Sequence, residues 1–259
     1  MTGAASGIGL AMARALAAEG WRLALVDQSA ERLASAAVAL TPHARGVSTH
    51  VVDVADAARV TACREEVLAS HGGVHLLVNS AGVSLAGTFA ETTLEDFDWV
   101  MDVNLRGTVN CCKAFLPALL AQRRAHIVTL SSSFGLVGFP GKSGYAASKF
   151  AVRGFSESLR MELRDTGVGL TVLYPGPVDT GIVREGRAAS EGQRMRETAF
   201  LARRAIPAET VARATLRGID RNAARVMLSW DYRVIDWLTR LFPSLAQDLI
   251  GYLGRRELG

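Results

Sequence analysis

In the stretch "SGYAASKFAV", Tyr145 and Lys149 stand four residues apart, so on a helix they share one face. A phenol ordinarily ionises near pH ~10, too high for easy proton exchange in neutral water. A neighbouring ammonium favours the phenolate and brings the group toward the working range of a general acid/base. Lysine occupies only three positions, Lys113, Lys142 and Lys149, so its appearance at this spacing is informative. Thirteen residues before Tyr145 lies Ser132, at the end of "HIVTLSSS". A hydroxyl there can hydrogen-bond a substrate carbonyl or alkoxide beside the tyrosine. Ser131 and Ser133 offer the same group and stay as alternatives.

A second constellation opens the chain. "MTGAASGIGL" carries Gly3, Gly7 and Gly9; without side chains, such a loop lets backbone N–H groups approach an anion at a helix N-terminus. The helical "LAMARALAAEG" follows, and then a strand that ends in Asp27, 18 residues past Gly9. A carboxylate there accepts hydrogen bonds from adenosine ribose hydroxyls and repels a 2′-phosphate. Gln28 and Ser29 supply no arginine for such a phosphate, although Arg32 lies a turn away, so NAD is expected in preference to NADP. Asp53, in "VVDV", suits an adenine edge; an N-cap role for Asp53 or Asp56 is the equal alternative. Asn79 ends another strand, and the small residues of "NSAG" let a backbone pass close to a cofactor or form an ordinary turn.

These residues need elements to hold them. Short apolar runs predict strands at Arg22 to Asp27, Val47 to Val54, Val74 to Asn79, His126 to Ser132, Gly169 to Gly176 and Ala224 to Trp230. Their nearly continuous apolar character suits strands buried on both faces. Helical patterns lie between them, at Leu10 to Glu19, Ala30 to Leu40, Ala57 to Ser70, Tyr145 to Arg164 and Ala208 to Asp220. One long pattern from Leu94 to Leu120 is expected to break. The alternation predicts an α/β fold, a doubly wound, mostly parallel, Rossmann-like sheet flanked by helices, which binds ligands beyond the carboxyl ends of its strands. Asp27, Asp53, Asn79, Ser132 and Pro175 all fall at or near such ends.

The chain has 259 residues, 49% hydrophobic and 21% charged, enough for one domain with a full core. Net charge is +4, and all but three of the 29 basic residues are arginines, scattered rather than massed. A nucleic-acid surface would need a basic stripe with interleaved aromatics, so no nucleic-acid partner is expected. Cys63, Cys111 and Cys112 form no C-x-x-C pair and read as free core thiols of a reducing cytoplasm. No metal-ligand cluster is expected. No apolar run approaches the ~20 residues that span a bilayer.

Taken in order, T-G-x-x-x-G-I-G, N-S-A-G, the Asn of "MDVNLRG", the Ser–Tyr spacing, Y-x-x-x-K and "YPGPVDT" resemble the short-chain dehydrogenase/reductase family in its compact single-domain form. The resemblance runs from Thr2 to about Asp220. It implies Tyr145 as general acid/base, Lys149 as its partner on the ribose, Ser132 on the substrate oxygen, and Asn104 holding a water that relays protons through Lys149. It implies a cofactor lined by Gly3, Ser6, Gly7, Ile8 and Gly9, with Asp27 on the ribose and Asp53 and Val54 near adenine. Asn79, Ala81 and Gly82 would follow the adenosine and pyrophosphate path, and Pro175, Gly176, Val178 and Thr180 the nicotinamide. Ser80 departs mildly from the family's N-N-A-G.

The same resemblance makes residues 181–206 a substrate lid, with Arg184, Arg187, Arg194, Arg196, Arg203 and Arg204 read as a solvated face. It makes Phe134, Leu136, Val137 and Phe139 the lining of a pocket for an apolar substrate, and implies a homodimer or homotetramer. The amphipathic extension 231–259 carries Val234, Ile235, Leu238, Leu241, Phe242, Leu245 and Leu249 at helical spacing, with Pro243 starting or kinking a helix and Arg233, Arg240, Arg255 and Arg256 flanking it. Packing over the substrate mouth or another subunit is its first reading and membrane-surface contact its second. The expected activity is NAD-dependent oxidation of an apolar secondary alcohol or reduction of its ketone. An NADP-dependent reductase of a lipid or carrier-linked ketone and a non-catalytic NAD-binding sensor are the alternatives. The glycine loop lacks the strand that should precede it, so the first strand is expected to be missing from the chain as given. The native product would then carry about 5–10 further apolar, β-branched residues, a strand's length, ahead of Met1, or another segment would fill that slot.

Overall fold

Runs of valine, leucine and isoleucine too apolar to face water on either side become the inner strands of a parallel sheet. The computed structural model describes residues 1–258, the side chains of Phe200, Leu201 and residues 253–258 excepted. The first half runs α1 (Gly7–Ala18), β1 (Arg22–Asp27), α2 (Ala30–Leu40), β2 (Gly46–Val51), α3 (Ala57–His71), β3 (Leu76–Asn79), β4 (Leu85–Ala86) and α4 (Leu94–Met101). A π-helical turn, Asp102–Arg106, joins α4 to α5 (Gly107–Leu120), followed by β5 (Ala125–Leu130), α6 (Ser143–Glu162) and β6 (Val168–Tyr174). The remainder is β7 (Arg187–Ala188), α7 (Glu191–Arg204), α8 (Ala208–Asp220), β8 (Arg225–Met227), α9 (Trp230–Leu241) and α10 (Pro243–Leu258).

The strands pair in parallel in the order β2-β1 and β3-β5-β6-β8. Between β1 and β3 lie Met1 and Thr2. Thr2 bridges both Val26 and Asn79. Its N–H donates to the Val78 carbonyl at 2.9 Å, while Val26 N–H donates to the Met1 carbonyl at 2.8 Å. The amino terminus itself donates to the Ala24 carbonyl at 2.8 Å. No other described strand pairs with these edges of β1 and β3. Thr2 thus joins the two halves of the sheet at their carboxyl ends, where the sequence reading located the slot of a first strand.

Helices cover both faces, as a doubly wound sheet requires. On one face Cys63 and Val67 of α3, Phe115 and Leu119 of α5 and Leu159 of α6 close over Ile127, Leu170 and Val172. On the other, Leu16 of α1 and Leu33 and Leu40 of α2 pack on Leu23 and Leu25, while Val211 of α8 packs on Val128 and Leu173. All three cysteines are free and buried. Burial pushes the Cys111 and Cys112 thiols up to about 12, so they stay protonated and behave as small core residues.

The expected break between Leu94 and Leu120 falls at Asp102–Arg106, where a π turn interrupts the α-helix without ending the helical path, and Asn104 within it is buried. Pro243 opens α10, where its missing N–H costs nothing. The apolar face of the tail, however, is turned outward in the single chain, with Trp237, Leu241, Leu245 and Leu249 exposed. The side chains of Arg255 and Arg256 lie outside the described residues. Among the described residues no helix is long and apolar enough to cross a membrane.

Candidate active site

Helical spacing on α6 puts Tyr145, Ser148 and Lys149 on one buried face. The Lys149 ammonium stands 5.7 Å from the Tyr145 ring centroid and donates to the Leu130 carbonyl at 3.1 Å. The Ser132 hydroxyl is hydrogen-bonded to the Tyr145 phenol. The rival serines are committed elsewhere: Ser131 donates to the Lys149 carbonyl at 2.8 Å, and Ser133 pairs with Tyr232. Burial decides the resting protonation. It pushes the phenol up to about 12 against the opposing Ser132 bond, and pulls the Lys149 ammonium down to about 8. In the protein alone, burial raises the phenol and only the Ser132 bond opposes it, in place of the expected lowering by Lys149.

Asn104 is positioned by the π turn. Its Nδ2 donates to the Val83 carbonyl at 3.0 Å and to Ser148 Oγ at 2.9 Å, and its Oδ1 accepts from Val83 N–H at 2.8 Å. Ser148 Oγ in turn donates to the Tyr145 carbonyl at 2.7 Å. One amide therefore fastens the loop after β3 to the helix that carries the tyrosine and lysine. Gly82 sits in this junction, where a Cβ would come within 3.1 Å of Asn104 Oδ1 and 3.3 Å of Lys149 Nζ.

A cleft with a cavity of about 230 Å³ runs from here across the strand ends. Gly3, Ser6, Gly7, Ile8, Asp27, Asp53 and Val54 line its outer part, and Ala81, Gly82, Tyr145, Lys149, Pro175 and Thr180 its inner part. Gly9, Asn79, Asn104, Ser132, Gly176 and Val178 stand behind this lining. Gly3 has φ +59°, and a Cβ on it would lie 2.8 Å from Ala81 N. A Cβ on Gly9 would lie 2.0 Å from the Gly3 carbonyl oxygen. Gly9→Ala is accordingly expected to destabilise the chain by about 1–3 kcal/mol through overpacking, read as a lower denaturant midpoint.

The cradle fits a dinucleotide. The N-terminus of α1 has no side-chain cap, which leaves its leading N–H groups for a phosphate. Asp27 is held by Ala5 N–H at 3.2 Å and Ser29 N–H at 3.1 Å, which fixes a carboxylate at the end of β1. Asn79 donates to Cys112 Sγ at 3.3 Å, and its Oδ1 is buried without a partner. Asp53 accepts from Ala55 N–H at 2.9 Å, while Asp56 caps α3, so the N-cap role falls to Asp56.

Phe134 meets Tyr145 edge-on, with centroids 6.0 Å apart, and Phe139 packs on Phe134 at 5.7 Å. Leu136 belongs to the main core instead. Two residues escaped the sequence reading. Buried Lys142 places its ammonium 5.5 Å from the Tyr145 centroid, donates to Ser84 Oγ and the Leu85 carbonyl at 3.2 Å, and ion-pairs with Glu197 of α7. Its rarity as a lysine was the available signal. Tyr232, from the tail, fills the space beside Gly176, where a Cβ would lie 2.3 Å from its ring. In the segment 181–206, Arg187 lies 4.3 Å over Trp99 and bonds Asp96 at 2.8 Å, while Arg194 donates to the Arg184 and Gly186 carbonyls at 2.9 and 3.0 Å. Those two arginines are engaged within the chain, contrary to the solvated face expected of the set. Val178 bridges Ile206, which brings the two ends of that segment together.

Comparison with known proteins returns the same picture. The description "short chain dehydrogenase" matches residues 1–191. SadH of Mycobacterium tuberculosis is 35% identical over 254 residues, 96% of this chain and 92% of its own length. Among solved structures, a short-chain dehydrogenase/reductase from Burkholderia phymatum in complex with NAD superposes with a TM-score of 0.86 at 30% identity, covering 95% of this chain and 94% of that one. An alcohol dehydrogenase from the archaeon Thermococcus sibiricus, complexed with 5-hydroxy-NADP, superposes at 0.75 with 28% identity, covering 87% and 92%.

Proposed function

The chain belongs to the short-chain dehydrogenase family, and from that premise we propose that this oxidoreductase interconverts an apolar secondary alcohol and its ketone with NAD. The observation that carries the reading is the convergence of Ser132, Tyr145 and Lys149 at the inner end of a glycine-lined cleft. When bound, NAD supplies the acceptor and donor of the hydride.

The protein's own groups handle the proton. In reduction, the Tyr145 phenol, protonated at neutral pH, donates to the substrate carbonyl oxygen, which the Ser132 hydroxyl also holds. Lys149 favours the phenolate once that proton has left. Asn104 keeps Lys149 and Tyr145 in register with the loop after β3; the relay through water that the family resemblance implies belongs to this proposal also. Phe134 and Phe139 give the pocket an apolar wall that excludes water and prefers an apolar substrate. Asp27 favours NAD through the ribose hydroxyls. Assembly into a dimer or tetramer through α5 and α6 is supported by Leu120 and Phe150, both exposed in the single chain.

The test is direct. Purified protein with NAD and a panel of hydrophobic secondary alcohols is expected to accumulate reduced nicotinamide, and side-by-side titration is expected to give tighter binding of NAD than of NADP. Binding without any turnover across the panel would support the sensor reading, and tighter NADP would overturn the role given to Asp27.

A further inference from the structure

The outer end of the cofactor cleft holds a charge pair that joins two distant parts of the chain. Arg32, in the first turn of α2, donates from Nη1 to Glu185 Oε2 at 2.6 Å. Glu185 lies in the lid segment between Thr180 and β7, 153 residues away. Both side chains line the same cavity as Asp27, Gln28 and Asp53. The backbone is shaped for this reach: Glu185 N–H donates to the Gly181 carbonyl at 2.8 Å, and a Cβ on Gly181 would lie 2.6 Å from Glu185 Oε1. A side chain at position 181 would require the Glu185 carboxylate to shift. The Arg32 Nε is buried without a hydrogen-bond partner, so the bond to Glu185 leaves the guanidinium's donors only partly used.

This corner is where the two nicotinamide cofactors differ, one bearing a 2′-hydroxyl and the other a 2′-phosphate. A guanidinium there is the residue type that welcomes a phosphate bidentately. Arg32 is committed to a carboxylate instead, and Asp27, Asp53 and Glu185 together leave the corner net negative. We infer that Glu185 is a cofactor-selecting residue carried on the lid, which occupies Arg32 and so withholds it from a 2′-phosphate. The inference rests on the proposal that this cleft takes a nicotinamide dinucleotide, and it concerns the change in preference on removing Glu185 rather than the preference itself. The same pair also ties the lid across the cleft, so discrimination and closure share one contact. A lid that opens frees the arginine, and a lid that closes masks it.

Equilibrium calorimetry on the purified chain, with NAD and NADP as separate ligands, separates the possibilities. Glu185→Gln is expected to tighten NADP about fivefold, the worth of an exposed ion pair, and to leave NAD within about twofold. In the double variant Glu185→Gln with Arg32→Gln, that gain is expected to vanish. An equal shift for both cofactors would overturn the inference and reduce the pair to a lid fastening. So would a gain that survives loss of Arg32. Wild-type protein that binds NADP more tightly than NAD would instead count against the role of Asp27, and the Glu185 comparison would still read independently. Both variants sit at partly exposed positions, and matching thermal melts would confirm that the binding change is local.

Discussion

Tyr145→Phe is expected to lower turnover by about 100- to 10,000-fold, the worth of a positioned general acid/base, while cofactor binding stays within about twofold. The reason lies in what the substitution keeps. The ring retains its edge-on packing against Phe134 and its place in the small cluster with Leu85 and Val100. Only the hydroxyl is lost, and with it the Ser132 hydrogen bond and the transferable proton. A pH profile of the wild type adds a second readout. Because burial holds the phenol near 12, alcohol oxidation, which needs the phenolate, should climb steadily through neutral and alkaline pH, whereas ketone reduction, which needs the phenol, should stay level until the base form accumulates. Retained turnover in the phenylalanine variant would rule out the proposed proton path.

Lys149→Met is expected to give a chain that is more stable and almost inactive. Folding buries this ammonium and lowers it from its ordinary 10.5 to about 8. Below pH 8 the lysine is charged in both the folded and unfolded chain, so the full desolvation cost of about 3 kcal/mol acts against folding. Between pH 8 and 10.5 the folded form releases its proton first, and the cost disappears as pH rises. The methionine carries no such cost, although it abandons the hydrogen bond to the Leu130 carbonyl, worth about 1 kcal/mol. The balance is a gain of about 2 kcal/mol near pH 7, or about 4–8 °C in melting temperature for a chain of this size. Paired melts at pH 7 and pH 10.5 check both parts: the variant should lead at the lower pH and lose its lead at the higher. A variant that melts lower at pH 7 would show that the lysine is a structural support rather than a strained functional group.

Much of the site could be read in advance because its parts obey local rules. The glycine loop, the strand-terminal Asp27 and the four-residue step from Tyr145 to Lys149 are each set by backbone geometry a few residues long, and they converge as expected. The choice of Ser132 over Ser131 and Ser133 was different. Three adjacent hydroxyls look alike in sequence, and only the packing of α6 and α9 sends one to Lys149 and another to Tyr232. Lys142 and Glu197 are invisible as a pair because they are far apart in sequence and meet only where α7 packs in the folded chain. Arg187 and Arg194 looked like solvent-facing charge for the same reason: their partners, Trp99 and the carbonyls of the preceding loop, are brought to them by tertiary structure. The expected break between Leu94 and Leu120 comes as a widened helical turn at Asp102–Arg106 rather than as a loop, a difference that the apolar pattern alone does not carry.

That widened turn has a genetic corollary. A π turn holds one residue more than the α-helix around it, and an α-helix rotates by about 100° per residue. Removal of a single codon between Asp102 and Arg106 would let α4 and α5 fuse into an ordinary helix with both flanks still in register, and only the widened turn that seats Asn104 would be lost. Asn104 would leave Val83 and Ser148 although none of the residues at the cleft had been altered. The reading frame's length at this point is thus as much a part of the site as the identity of its side chains, and an alignment that closes the extra position as a gap would conceal it.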